Sequence, residues 1–276
     1  MSIVTSDRLM SRWMSWSRVK GVLMQSIYVM KHSPLRIMEM IYWPFIEIIL
    51  WGFITRYLQD TDAAVPGGVS ILLGAVVFWD VCFRTQQELA MTQLMDMWDR
   101  SILNLYASPL RQREYVTGAI LFSLARVLTG TLLLSVFVGV AFDFNILDVG
   151  VVLVPAFALL VMFGWSLGLM IRACVLRFGS NAEVLAWSLA LLLQPVCAVF
   201  YPVSALPGWL QVIAKCVPAS YVFESLRAFL ADGEVLVGNL LIAGALDIVY
   251  LAVGGLVLAA AYRSVRTRGL LSRPGY

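Results

Sequence analysis

Apolar runs, each of the length a bilayer demands, recur along this chain with polar material squeezed between them. A helix that crosses a hydrocarbon core of ~30 Å needs about 20 apolar residues in succession. Six runs meet that need: residues 37–58, 67–84, 115–142, 149–171, 182–201 and 239–262. Hydrophobic residues make up 61% of the chain and charged residues 13%, far from the balance of soluble domains. The expectation is an all-α membrane protein with six transmembrane helices.

Lys and Arg favour the cytoplasmic side of a membrane. They fall in the N-terminal segment (Arg8, Arg12, Arg18, Lys20, Lys31, Arg36), the second connection (Arg100, Arg111, Arg113), the fourth (Arg172, Arg177) and the tail (Arg263, Arg266, Arg268, Arg273). The first and third connections hold Asp60 and Asp62, then Asp143 and Asp148, with no basic residue beyond Arg56 at a span end. Both termini are therefore expected in the cytoplasm of a bacterial-type inner membrane, a parity that six spans satisfy. The net charge of +3 follows from this asymmetry and is no signal for nucleic acid.

The whole of 1–276 reads as one membrane domain: a cytoplasmic segment 1–36, a bundle 37–262 and a cytoplasmic tail 263–276. No secretory signal is expected, since the first 30 residues are basic, polar and interrupted. Within them Val19, Val22, Leu23, Ile27 and Met30 share one helical face, with Lys20, Gln25 and Lys31 away from it. That spacing predicts a helix lying in the interface, with a soluble cap helix as the plainer alternative. Cys82, Cys174, Cys197 and Cys216 have no metal-ligand spacing. Cys197 and Cys216 both fall toward the outer side, and whether they pair stays open, since most buried cysteines are simply small apolar residues.

Two connections are long. The inner one, 88–114, begins as a continuation of the second span. Asp80, Arg84 and Glu88 form an i,i+4 ladder that Asp96 and Arg100 repeat, and the helix is expected to stop near Ser108-Pro109. The outer one, 202–238, is punctuated by Pro202, Pro207 and Pro218, each suited to starting a helix. Two short helices, 207–216 and 219–231, are predicted, as a re-entrant hairpin dipping part-way in or as a pair on the surface.

The run "YPVSALPGWLQVIAKCVPASYVFESLRAFL" resembles the segment after the fifth span in permease subunits of type-2 ABC exporters. The matching positions are Pro202, Ser204, Leu206, Pro207, Trp209, Leu210, Gln211, Pro218, Glu224 and Arg227, with Val217 where the family has Asn. A second stretch, "RSILNLYASPLRQREYVTGAIL", resembles the family's cytoplasmic coupling segment through Ser108, Pro109, Leu110 and Gly118. Arg100, Ser101 and Leu103 depart from its usual Gly, Thr and Glu.

The resemblance implies a permease, not an enzyme, powered by a separate ATP-binding cassette subunit that holds ATP and Mg. It also implies two permeases per complex, by default a homodimer. The sequence agrees on the energy source: it contains no G-x-x-x-x-G-K-[ST] run, and its only lysines are Lys20, Lys31 and Lys215. No cofactor is expected on the chain itself. By the same resemblance, contact with the ATPase falls on residues 96–109, with Asp96, Asp99, Arg100, Tyr106, Ser108 and Pro109 as contributors. The implied cargo is a drug-like or lipid substrate moved outward. A lipid-linked glycan is the alternative, and a carrier not driven by ATP the less favoured one.

Charges inside spans are costly and mark functional candidates. Glu39, Trp43, Glu47 and Trp51 follow one another at i+4 in the first span. Since the family's first and fifth spans line the path, this stripe with Trp187 and Gln194 is the expected conduit wall. Packing or interface anchoring is the plainer reading. Asp80 and Arg126 lie at similar depth on consecutive spans and are expected to form a structural ion pair. Asp247 has no evident role. The single histidine, His32, lies outside the spans, which removes histidine-based catalysis and zinc sites from the bilayer.

Overall fold

The computed structural model describes residues 14–60, 68–98, 109–142, 150 and 152–268, and these are helices joined by turns. They are α1 (Trp16–Lys31), α2 (Pro34–Asp60), α3 (Gly68–Trp98), α4 (Gln112–Phe142), α5 (Leu153–Phe178), α6 (Glu183–Leu193), α7 (Gly208–Ala214), α8 (Pro218–Asp232) and α9 (Val237–Arg268). Each of the six apolar runs overlaps one helix among α2, α3, α4, α5, α6 and α9.

Among the described residues three helical runs are long and apolar enough to cross a membrane. They are Gln112–Phe142, Leu153–Leu193 and Val237–Val265, with mean hydropathies of 2.0, 2.1 and 2.2. The second run is not one rod. Gly179, at φ 68° and ψ −152°, takes a conformation that side chains forbid, and the chain turns there. The expected span 182–201 is shorter as a helix than the sequence suggests. Regular α-helix ends at Leu193, ahead of Pro195, and residues 194–201 form turns with Ala198 in the left-handed region at φ 52°.

Side-chain contacts fix the helix directions. Gly164 of α5 packs on Cys82 and Thr85 of α3, and Gly168 one turn later on Gln86 and Leu89, so α3 and α5 run parallel. This Gly-x-x-x-Gly pair lets two backbones approach closely, as small residues do between membrane helices. A Cβ built on Gly164 would stand 2.7 Å from the Cys82 carbonyl oxygen. On the other side of α5, Phe163 meets Tyr250 and Gly254 meets the Ser166 carbonyl, so α9 is parallel too. The opposite direction belongs to α4, where Arg126 meets Glu88 and Tyr115 meets Asp96. Phe45–Phe137 and Phe53–Phe142 contacts align α2 with α4. Ala182, just before α6, and Ala186 within it cluster with Ala90 and Leu94, whereas Ala190 clusters with Trp79 and Val81. The six long-bundle elements thus alternate in direction along the chain.

The two short helices begin close to where their prolines predict, at Gly208 after Pro207 and at Pro218 itself. Glu224 ties them to the end of α6 by accepting the Val203 N–H at 2.6 Å and pairing with Arg227 at 3.2 Å. Arg227 in turn donates to the Ala198 and Tyr201 carbonyls at 2.8 and 2.9 Å, holding the turn that Ala198 makes. One face of α8, including Val222, Phe223 and Leu226, is buried in the main core beside Trp79. The pair is therefore a packed part of the bundle end.

The N-terminal helix α1 lies against α4. Val19 and Val22 are buried, and Val22 fills the space beside Gly118. Ile27 is 44% exposed, so the covered face is narrower than the apolar spacing suggests. Glu114, fully buried, fastens the junction: it accepts the Ser15 N–H at 2.8 Å and the Arg111 N–H at 3.0 Å, with Arg18 at 3.4 Å.

Candidate functional site

A cleft of about 750 Å³ opens between α1, α2, α3, α4 and α6. Along α3 it runs from Trp79 to Asp96, about 25 Å of helix at 1.5 Å per residue. Its walls are aromatic and aliphatic, with Trp43, Phe83 and Trp187 prominent, and its polar groups come from four of the helices. Glu47 arrives from α2, Asp80, Arg84 and Glu88 from α3, Tyr115 and Arg126 from α4, and Gln25 and Ser26 from α1.

The i,i+4 spacing on α3 puts Asp80, Arg84 and Glu88 on one face, as expected, and that face is the cleft wall. Their partners differ from expectation. Asp80 and Arg126 do not pair: the Arg84 guanidinium donates to Asp80 at 2.6 Å, and Arg126 reaches Glu88 across the α3–α4 contact. The reason is local. Arg84 stands one turn from Asp80 on the same helix, and α4 crosses α3 deep enough to set Arg126 opposite Glu88.

Of the six residues expected on the path, the structure brings three together here: Trp43, Glu47 and Trp187. Trp51 points elsewhere and stacks on Phe200, with ring centroids 4.3 Å apart and planes at 22°. Gln194 follows the last turn of α6, its N–H on the Ala190 carbonyl, away from the cleft. The Glu39 side chain lies outside the described residues. So do Asp99, Arg100, Tyr106 and Ser108 of the expected coupling segment. Its flanks are described: Asp96 lines the cleft and accepts the Tyr115 hydroxyl, and the Pro109 carbonyl accepts Arg18 at 2.5 Å. All four cysteines are free thiols, Cys197 buried and Cys216 exposed.

Two polar residues take roles that sequence reasoning missed. Arg172, expected in a cytoplasmic connection, is instead fully buried inside α5. Its guanidinium lies 4.7 Å from the Tyr115 ring centroid and donates to the Gln93 side chain at 3.1 Å. It thus joins α3, α4 and α5 near the last turns of α3 and the first turn of α4. Nothing in the local sequence signals this, because both partners are distant in the chain. Glu114 was legible only in part: it stands where a capping box has its glutamate and reaches back to the Arg111 N–H, but Arg111 stands where the box has Ser or Thr. Asp247 is fully buried on α9, and neither carboxylate oxygen has a hydrogen-bond partner among the described residues.

An all-helical bundle with long apolar helices, a cleft of mixed aromatic and ionic lining and a proline-started helix pair at one end describes a membrane transport domain better than a catalytic one. No curated protein matches the chain. The family model of the ABC-2 type transporter matches residues 31–230, from the end of α1 to α8. The chain therefore belongs to the ABC-2 type transporter membrane-domain family.

Proposed function

We propose that this chain is the permease of an ATP-driven exporter, in which two copies join two ATP-binding subunits and move a drug-like or lipid substrate outward across a bacterial-type inner membrane. The observation that carries this reading is the cleft itself. It unites α2 and α6 residues, Trp43, Glu47 and Trp187, with a charged face of α3 that a purely structural bundle would have no reason to keep open. In this reading α2, α3, α4, α5, α6 and α9 are the six spans, their alternating directions matching the alternating Lys/Arg content of the connections. Both termini and the 96–109 segment then face the cytoplasm.

ABC-2 permeases generally pair with ATP-binding subunits, and the sequence holds no phosphate-cradling loop of its own. Force from such a partner would enter through the end of α3. There the Asp96–Tyr115 contact and the Arg172 guanidinium over the Tyr115 ring tie the last turns of α3 to α4 and α5 beside the cleft. The α7–α8 pair closes the outer end.

The purified chain alone is expected to hydrolyse no ATP. Reconstituted with a co-expressed ATP-binding subunit, it should support ATP-dependent transport, and Trp43→Ala should lower that transport at least fivefold with normal complex yield. ATP hydrolysis by the chain without a partner, or full transport by Trp43→Ala, would contradict the proposal.

A further inference from the structure

The cleft's charges do not cancel. Asp80 is neutralised by Arg84 at 2.6 Å and Glu88 by Arg126, which leaves both arginines engaged. Glu47 makes no hydrogen bond or ion pair with any described residue, and its electrostatic neighbours are Asp80 and the already paired Arg84. A carboxylate in a low-dielectric cleft with no cation of its own is costly. The same cleft is lined by indoles from two helices, the half-buried Trp187 and Trp43, which is 58% exposed. Aromatic faces attract organic cations and tolerate many shapes. The volume, about 750 Å³, falls within the range of roughly 300–1,000 Å³ common to drug-sized ligand sites.

We propose that the cleft binds a drug-sized hydrophobic cation carrying one positive charge, with Glu47 as its counter-ion and Trp43 and Trp187 as the surfaces for its apolar groups. This rests on the reading of the cleft as the substrate path and adds the substrate class to it. A cation restores the missing charge without disturbing either ion pair. An anion of equal size meets Glu47 with no free guanidinium to compensate. A neutral ligand leaves Glu47 as it is and gains only the apolar contacts.

Tetraphenylphosphonium and tetraphenylborate test the charge preference, being ions of nearly the same size and shape but opposite sign. The full-length chain in phosphatidylcholine nanodiscs would be dialysed to equilibrium against each, with binding to empty nanodiscs subtracted. Saturable tetraphenylphosphonium binding at least tenfold tighter than tetraphenylborate binding is expected. Glu47→Gln should weaken the cation at least tenfold, Glu47→Asp should retain most of its binding, and Asp232→Asn, an exposed acid outside the cleft, should change nothing. Equal or tighter binding of tetraphenylborate by the unaltered chain would overturn the proposal whether or not the variants fold. So would undiminished cation binding by Glu47→Gln. The assay needs no ATP-binding subunit. Lost selectivity with intact ATP-driven transport would remove the cation class alone, and selective binding without such transport would remove the exporter reading alone.

Discussion

Glu114 has no exposed surface, yet its carboxylate takes two backbone N–H groups and faces Arg18, joining the start of α1 to the start of α4. Removing it would leave buried donors without an acceptor, which costs about 1–3 kcal/mol for each such group. Glu114→Ala should therefore lower the thermal midpoint of the solubilised protein by several degrees and release α1 to proteolysis, with Glu114→Gln intermediate. Unchanged protection of α1 would assign its docking to Val19 and Val22 alone. At this scale the sequence was partly readable. The Asp80–Arg84–Glu88 ladder followed from spacing, and Glu114 carried half of a capping box, its N-cap partner being Arg111 in place of Ser or Thr. The Asp80–Arg126 pairing failed because two acids on one helix face competed for two arginines, and only the crossing of α3 and α4 decides which meets which. Arg172 was misplaced for a similar reason: an arginine near a span end reads as a topology marker, and only its distant partners Gln93 and Tyr115 make it internal.

Helix-to-helix contacts in this bundle rest on backbone approach, and adjacent glycines on α9 separate that role from mere helix flexibility. A Cβ on Gly254 would lie 2.9 Å from the Ser166 carbonyl oxygen, whereas one on Gly255 would meet nothing within 4 Å. In a helix interior Ala is favoured over Gly by about 1 kcal/mol when space allows. Gly255→Ala should thus be neutral or mildly stabilising, and Gly254→Ala should destabilise by about 1–3 kcal/mol as α9 is pushed from α5. Thermal unfolding of the two variants in the same detergent checks the difference, and similar midpoints would mean that α9 is not packed in this register. Element positions were legible from apolar run length, and α7 and α8 from Pro207 and Pro218. The early end of α6 was less so. The apolar run continues to Tyr201, but Pro195 and the turn at Ala198, braced by Arg227, end the helix at Leu193.

As a whole the molecule is a set of helices alternating in direction around α3 and α5, with a cleft left open between α1, α2, α3, α4 and α6. The expectation of successive spans anticipates the alternation, because consecutive spans run in opposite directions. It does not anticipate the cleft, which depends on which helices become neighbours; hence Trp51, on the same sequence stripe as Trp43, ends up stacked on Phe200. Path and packing are separable by chemical modification. In a chain with its four native cysteines replaced by serine, Trp43→Cys, Glu47→Cys and Val140→Cys would each be reacted with a bulky thiosulfonate. Val140 is the reference, on α4 and 85% exposed on the outside of the bundle. The readout is ATP-driven uptake of fluorescent drugs and lipids into inverted vesicles holding the complete complex. Modification at positions 43 and 47 should abolish uptake while modification at 140 leaves it intact; full uptake after complete labelling at 43 and 47 would contradict the assignment of this cleft as the path.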